Sequence, residues 1–439
     1  MSLLRQHATK QISMNPSRRT VFVCCDGLGR SWVTRDETPT LHQIARQSLW
    51  CADHRAIFPS ATRASAASVA TGCRPARHGL HGNRMGLFAD GRITVRDVGL
   101  PAFRAQMRAA TGGTLRVPSL AERVAGAGGF IAFSNVSPGA AYFLDPENFG
   151  FVYHRAGSYA PGGKLIEGRD ALDVSHDFAG DWAMTERFCS EVLSARKPSV
   201  AVLWLANPDL TLHGTQLGSP VHRAALQATE RCVGAVVETV ERARASGENI
   251  LLLIGSDHGQ ETIGDYVEIE TWLAARGLGG ELGDGRIAVA TQGTAALLYS
   301  TNPARRALLD VLEEMRAEPW AGEVVTEDGL AALGHAASSG VVAAVNMARH
   351  HDANAYGVAG RRWVAAEPGK PVQVGCGQHG GWGPDETQPF LLLNGKDVRS
   401  GVHDRPSSLV DIAPTILAFL GLPTVGMDGA SLVDFCRVG

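Results

Sequence analysis

Three apolar runs in this chain each stop at an aspartate able to hold a metal ion. Thr20–Cys25 (TVFVCC) stops at Asp26-Gly27, Ser199–Leu205 (SVAVLWL) at Asn207-Pro208-Asp209, and Asn249–Gly255 (NILLLIG) at Ser256-Asp257-His258. Continuous apolar runs bounded by polar turns suit strands buried on both faces, as in a parallel sheet. In open α/β sheets, ligands bind outside the carboxyl ends of the strands. The three acidic run ends therefore predict one site assembled from distant segments.

Gly129–Ser134 (GFIAFS) and Pro389–Leu393 (PFLLL) read as two further buried strands. Between the strands, Thr38–Gln47 and Asp181–Leu193 read as helices. Pro220–Ala245 is the clearest helix: Val233, Val236, Val237 and Val240 keep one apolar face, and Gly247 stops it. Asp411 is placed to cap a last helix, with Pro414 in its first turn and Gly421 at its end. This alternation predicts an α/β fold, a doubly wound and mostly parallel sheet flanked by helices.

The 439 residues call for two or three domains, or one large core with an insertion. Ile263–Val372 is Gly/Ala-rich and separates two polar clusters, so it reads as an inserted cap subdomain. Residues 20–262 and 373–439 then form the catalytic core, behind a flexible tail at 1–19.

Net charge is −3, with only five lysines. That balance gives no footprint for a nucleic acid polymer or an anionic membrane. The first twenty residues lack the apolar stretch of a signal peptide. No segment reaches the roughly 20 apolar residues needed to span a bilayer. The expectation is a soluble, cytoplasmic protein. The eight cysteines have no CxxC spacing, and Cys24 and Cys25 adjoin inside an apolar run. They read as free core thiols.

Asp209 and His213 are four residues apart, so one helical turn after the strand would face both toward one metal. His379 sits in the glycine-rich Cys376–Gly381 loop, which lets a side chain approach a site closely. With Asp26, Asp257 and His258 this makes six carboxylate and imidazole ligands. Six suffice for two zinc ions with three protein ligands each and an open position for substrate. Two metals about 4 Å apart can act on one phosphoryl centre, one activating the attacking oxygen and the other stabilising the leaving oxygen. A hydroxyl nucleophile needs such activation, and the candidate lies in Phe58–Ser65 (FPSATRAS).

FPSATRASAASVATGCRPARHGLHGN (Phe58–Asn83) resembles the nucleophile segment of nucleotide pyrophosphatases/phosphodiesterases and phosphonoacetate hydrolases, branches of the alkaline phosphatase superfamily. The resemblance makes Thr62 the nucleophile. It extends to Asp26-Gly27, Asn207–His213, Ser256–Gly259, His379-Gly380 and Val410–Pro423. It implies one zinc on Asp209, His213 and His379, a second on Asp26, Asp257 and His258, and Thr62 as a ligand bridging them. Manganese is the alternative ion. The implied activity is hydrolysis of a phosphodiester through a phosphothreonine intermediate. The expected partner is a small phosphorus ester, with a nucleotide-containing one first in view. Phosphonate hydrolysis and phosphomutase chemistry are the alternatives, and a homodimer is the candidate assembly. Arg63, Ser65 and Asn83 are the expected substrate contacts. Ser65 stands where the phosphodiesterase branch carries an asparagine, and no lysine follows Gly129–Ser134 as it does in phosphonoacetate hydrolases.

Two motifs read as decoys. Cys73–Arg77 (CRPAR) matches the C-x-P-x-R of sulfatases, but it lies inside the TG…HG element instead of opening the nucleophile helix. His350-His351-Asp352 in the insert reads as a solvated turn. His78 reads as a structural residue that holds the turn after the nucleophile helix.

Overall fold

The three acid-ended runs fold into neighbouring strands. A computed structural model describes residues 18–435. The expected tail therefore lies outside the described residues up to residue 17, and Arg18 and Arg19 already belong to the first strand, Arg18–Cys25. That strand is central in a ten-stranded sheet. It pairs in parallel with Val200–Leu205 on one side and Asn249–Gly255 on the other. Val200–Leu205 pairs in parallel with Phe130–Ser134, and that strand with Phe151–Tyr153. Cys25 lies opposite Leu205, and Cys24 opposite Gly255. This register puts Asp26, Asp209 and Asp257 at one edge.

Alternate residues of a strand face opposite sides, and both sides here are covered. Phe22 and Cys24 pack with Val69, Ile412 and Ile416. Val21, Val23 and Cys25 pack with Phe188, Val233 and Val236. The long helix runs from Pro220 to Ala245, with Ser219 accepting the His222 amide as its cap. Burial on both faces leaves no polar alternation in the strands, which is why each read as a continuous apolar run.

Three local expectations change. Leu391–Asn394 is antiparallel to Asn249–Gly255; a strand buried on both faces has the same apolar signature in either direction. The helix expected to start at Asp181 starts at Phe178, capped by Asp177. Asp411 accepts the Ser408 amide in a capping box, and its short turn Leu409–Asp411 leads into the final helix Ile412–Leu420.

The segment after residue 261 builds two smaller sheets. Ile287–Thr291, Ala295–Ser300, Val341–Met347 and Ala321–Thr326 form an antiparallel four-stranded sheet. One face packs on Leu273, Leu308, Leu312 and Trp320. Its other face shares a core with Met85, Leu87 and Ile93 from the hairpin Arg84–Ala89 and Arg92–Asp97. The strand Glu261–Val267 pairs with Ala359–Ala365 and with Gly377–Gln378, which leads straight to His379. Among the described residues no helix is long and apolar enough to cross a membrane. The seven cysteines there are free, and Cys24, Cys25, Cys51, Cys73 and Cys232 are buried.

Candidate active site

Asp26, Asp257 and His258 leave adjacent strands and meet at their carboxyl ends. His258 Nε2 lies 3.5 Å from Asp26 Oδ1 and 3.3 Å from Asp257 Oδ2. All three are buried. His258 Nδ1 donates to the Gly259 carbonyl at 2.9 Å, which turns Nε2 toward the carboxylates. Asp26 Oδ2 accepts the Trp204 indole N–H at 2.9 Å, and Asp257 Oδ1 accepts the Gly27 amide at 3.2 Å. Asp257 Oδ2 has no hydrogen-bond donor. Burial pushes the Asp26 carboxyl well above the usual carboxylate range; Asp257 and Asp209 add to this, and Trp204 opposes it. Burial also raises Asp257, against the pull of His258. A buried carboxylate oxygen without a donor, beside a second buried carboxylate, is an arrangement a cation would stabilise.

Asp209 opens a one-turn helix after Val200–Leu205, and His213 closes it. His213 Nε2 is 3.3 Å from Asp209 Oδ2, and His379 Nε2 is 3.5 Å from Asp209 Oδ1. Gln260 also donates to Asp209. Burial would raise the Asp209 carboxyl, but His213, His379 and His258 outweigh it and hold the group below the usual range. Gly27 has φ +68°, and a Cβ there would sit 2.8 Å from Asp209 Cβ, so only glycine lets Asp209 lie against the Asp26 turn.

His379 arrives from the far side of the insert. Its Nδ1 donates to the Ser60 carbonyl at 2.6 Å, so its Nε2 also faces the carboxylates. The His258 and His379 rings stack with centroids 3.6 Å apart. The six expected ligands thus form one cluster. Its tightest threefold groups are Asp26, Asp257, His258 and Asp209, His258, His379, with ligand atoms within 4.8 Å of one another. His258 belongs to both. His213 stands one step out, on the wall of the cavity, in reach of Asp209 and with its ring centroid 5.3 Å from that of His379. Three carboxylates and three imidazoles, two of them with Nδ1 committed to a carbonyl, fit a pair of divalent cations.

Thr62 is the first residue of the helix Thr62–Thr71, whose small side chains are all buried apart from Arg63. Thr62 Oγ1 is 3.2 Å from His258 Nε2 and 3.5 Å from Asp26 Oδ1. The amides of a first helical turn favour negative charge, and Thr62 brings this helix start to the cluster. A cavity of 230 Å³ beside Thr62 is lined by Arg63, Asn83, Arg155, His176, Asp209 and His213, among others. A second, of 460 Å³, lies between the core and the insert and shares Arg63, Asn83, His213 and His379 with the first. Asn83 Oδ1 accepts the Arg63 amide at 3.3 Å, and Arg63 Nε donates to Ser137 Oγ at 2.9 Å. Ser65 departs from expectation: it is buried one turn into the helix, its Oγ has no partner, and it lines neither cavity.

Several supporting residues escaped the sequence reading. Asp181 accepts from the Ala206 and Asn207 amides at 3.2 and 3.1 Å and from Asn135 Nδ2 at 3.0 Å, so it fixes the turn that delivers Asp209. Glu386 accepts from the Gly381 amide at 2.9 Å, from Ser60 Oγ at 3.3 Å and from Thr294. Ser60 in turn holds His379. Arg155 and His176 carry no motif.

The decoys sit elsewhere. Cys73 is buried near Gly426. His78 is buried between Ser68 Oγ at 3.0 Å and the Leu80 amide at 3.1 Å, and so pins the turn after the helix Thr62–Thr71. His350 and His351 lie on an exposed strand, Arg349–Ala353, where a solvated turn was expected. That strand pairs with Ala359–Ala365, and Trp363 donates to His350 Nε2.

The model of the type I phosphodiesterase/nucleotide pyrophosphatase family matches residues 20–332. A search of the curated proteins returns no match. Among solved structures, murine ectonucleotide pyrophosphatase/phosphodiesterase 5 superposes with a TM-score of 0.67 at 16% identity, covering 94% of this chain and 98% of that one. An inactive threonine-to-alanine variant of it, in complex with AMP, gives 0.66 at 15%, covering 94% and 97%. Phosphonoacetate hydrolase from Sinorhizobium meliloti 1021, in complex with phosphonoformate, gives 0.64 at 15%, covering 91% and 94%. These likenesses carry the alkaline phosphatase-like fold, and the family match goes further. The chain belongs to the type I phosphodiesterase/nucleotide pyrophosphatase family of the alkaline phosphatase superfamily, hydrolases acting on phosphoric ester bonds.

Proposed function

We propose that this protein hydrolyses a phosphodiester through a phosphothreonine at Thr62, at a site holding two divalent cations, zinc first and manganese second. The observation that carries the reading is the contact of Thr62 Oγ1 with both His258 Nε2 and Asp26 Oδ1, at 3.2 and 3.5 Å. Asp26, Asp257 and His258 would hold one cation; Asp209 and His379 would hold the other with His213. Bound there, the pair would acidify the attacking hydroxyl and take up charge on the leaving oxygen.

The residues divide the remaining work. Thr62 Oγ1 gives up its proton and attacks phosphorus in line. Arg63 faces the phosphoryl oxygens with its guanidinium, and Asn83 fixes its backbone by accepting its amide. The leaving alcohol departs toward the cavity under the 263–372 insert, which we read as the cap that shapes it. Water then hydrolyses the phosphothreonine and restores Thr62. The family match and the neighbour bound to AMP favour a small, nucleotide-like phosphorus ester.

The test is a panel of nitrophenyl diester, monoester and phosphonate ester given to the metal-reconstituted protein. The diester should turn over fastest. A Thr62→Ala variant with near wild-type rates would rule out the nucleophile.

A further inference from the structure

The cavity beside Thr62 contains a cation with no role so far. Arg155 follows the strand Phe151–Tyr153 at the carboxyl edge of the central sheet and lines the 230 Å³ cavity together with Thr62, Arg63 and His176. Among the described residues its guanidinium is held by no carboxylate hydrogen bond; Tyr142 and Asp181 act on it only through space. Nη1 lies 3.3 Å from His154 Nε2, but that nitrogen is not an acceptor. His154 Nδ1 accepts the Ala156 amide at 2.9 Å, so in the neutral ring Nε2 bears the proton and donates to the Val136 carbonyl, also at 2.9 Å. Among the described residues Arg155 makes no ion pair with a carboxylate. A partly buried guanidinium with donors to spare, facing a cavity, is built to meet an anion.

Both cavities are lined without a phenylalanine, tyrosine or tryptophan. Stacking on an aromatic ring is the general way to hold a nucleobase, so nothing of that kind is offered to the group beside the phosphorus. In the 230 Å³ cavity the positive side chains are Arg63, placed at the phosphoryl group, and Arg155, with His176 beside it as a further donor; in the 460 Å³ cavity Arg84 and Lys370 are both paired with Glu367.

We infer that Arg155, with His176 at the cavity mouth, binds a second anionic group of the substrate, a carboxylate or a second phosphoryl group, beside the reacting phosphorus. The inference rests on the function proposed above and narrows its substrate class. It requires no aromatic base in this cavity.

Calorimetric titration of the metal-loaded protein tests it with three probes: methylphosphonate, phosphonoacetate and methylenediphosphonate. The wild type should bind a probe carrying the second anion about tenfold more tightly than methylphosphonate. In Arg155→Met that ratio should fall to within about twofold of one, and Arg155→Lys should keep part of it. A gain confined to phosphonoacetate assigns a carboxylate; one confined to methylenediphosphonate assigns a second phosphoryl group. No gain in the wild type, or a gain that survives in Arg155→Met because the cations alone take the second anion, overturns the inference. Each protein titrated also carries Thr62→Ala, so that no probe is turned over; failure of the diester panel would sink the proposed function and leave this ratio readable.

Discussion

Asp26 and Asp257 come off hydrogen-bonded neighbours in the sheet interior, whereas His379 reaches the site only after the chain has run out through the insert and back. The first half of the site, Asp26, Asp257 and His258, has side chains at most 1% exposed. In the second half, His213 keeps 39% of its side chain in solvent and Asp209 keeps 14%. Their electrostatics run in opposite directions. Burial dominates Asp26 and Asp257 and raises them; the histidines dominate Asp209 and lower it. Register of parallel strands places all three aspartates, whereas His379 depends on a chain of hydrogen bonds through Ser60 and Glu386. One half is rigid and enclosed against Thr62, and the other opens to solvent.

The largest effects should come from the rigid half. Thr62→Ala should lower kcat by at least about a thousandfold while zinc content stays near wild type. Asp257→Ala should lower it as much and also release a cation, read by metal analysis after dialysis. On the open half, His213→Ala should cost less, on the order of ten- to a hundredfold in kcat/KM, because the side chain is already partly solvated. Equal losses for Asp257→Ala and His213→Ala would erase the distinction.

A subtler break is Glu386→Gln. Its carboxylate holds the Gly381 amide and Ser60, and Ser60 holds His379 Nδ1. The variant should weaken the second cation by roughly ten- to a hundredfold and leave the first bound, since residues supporting a ligand typically matter at that scale. Two-step zinc titration would separate the sites. Equal weakening of both would show that the halves are not independent.

The smallest effect concerns the tie between the insert and the approach to the helix Thr62–Thr71. His335 Nε2 donates to the Phe58 carbonyl at 3.1 Å. Burial pushes its pKa down from 6.5 to about 4. A base depressed in the folded state supports stability above its unfolded value, and that support is lost as pH falls from 6.5 toward 4. Between pH 7 and pH 5, wild type should lose about 2 kcal/mol more than His335→Gln, measured by denaturant unfolding. Parallel pH profiles for the two proteins would remove His335 as the acid-sensitive tie.

How much of this the residues announced follows the same division. The interior half was legible because parallel strands buried on both faces give unbroken apolar runs, and each run stops at its ligand. His379 was legible only through its glycine-rich loop and the family resemblance. Gly380 has φ +124°, and a Cβ there would overlap the Gln292 carbonyl, which explains the glycine but could not be read locally. Asp181 read as the first residue of a helix; Asp177 caps that helix one turn earlier, and Asp181 serves the Asp209 turn instead. Ser65 was expected at the substrate because the resemblance puts it where the phosphodiesterase branch carries an asparagine, but its position in the helix sends it into the core. The absence of lysine after Gly129–Ser134 suggested a missing counter-charge. Arg155, after the neighbouring strand, brings a positive charge to that edge, and only strand pairing reveals it.

The central claim is that one sheet edge holds two divalent cations on either side of Thr62. Anomalous diffraction at the zinc absorption edge, from crystals of the zinc-loaded protein, tests it most directly. The account predicts two peaks about 4 Å apart, one against Asp26, Asp257 and His258 and the other against Asp209 and His379, with Thr62 Oγ1 between them. A single peak, or zinc bound away from Thr62, would contradict it.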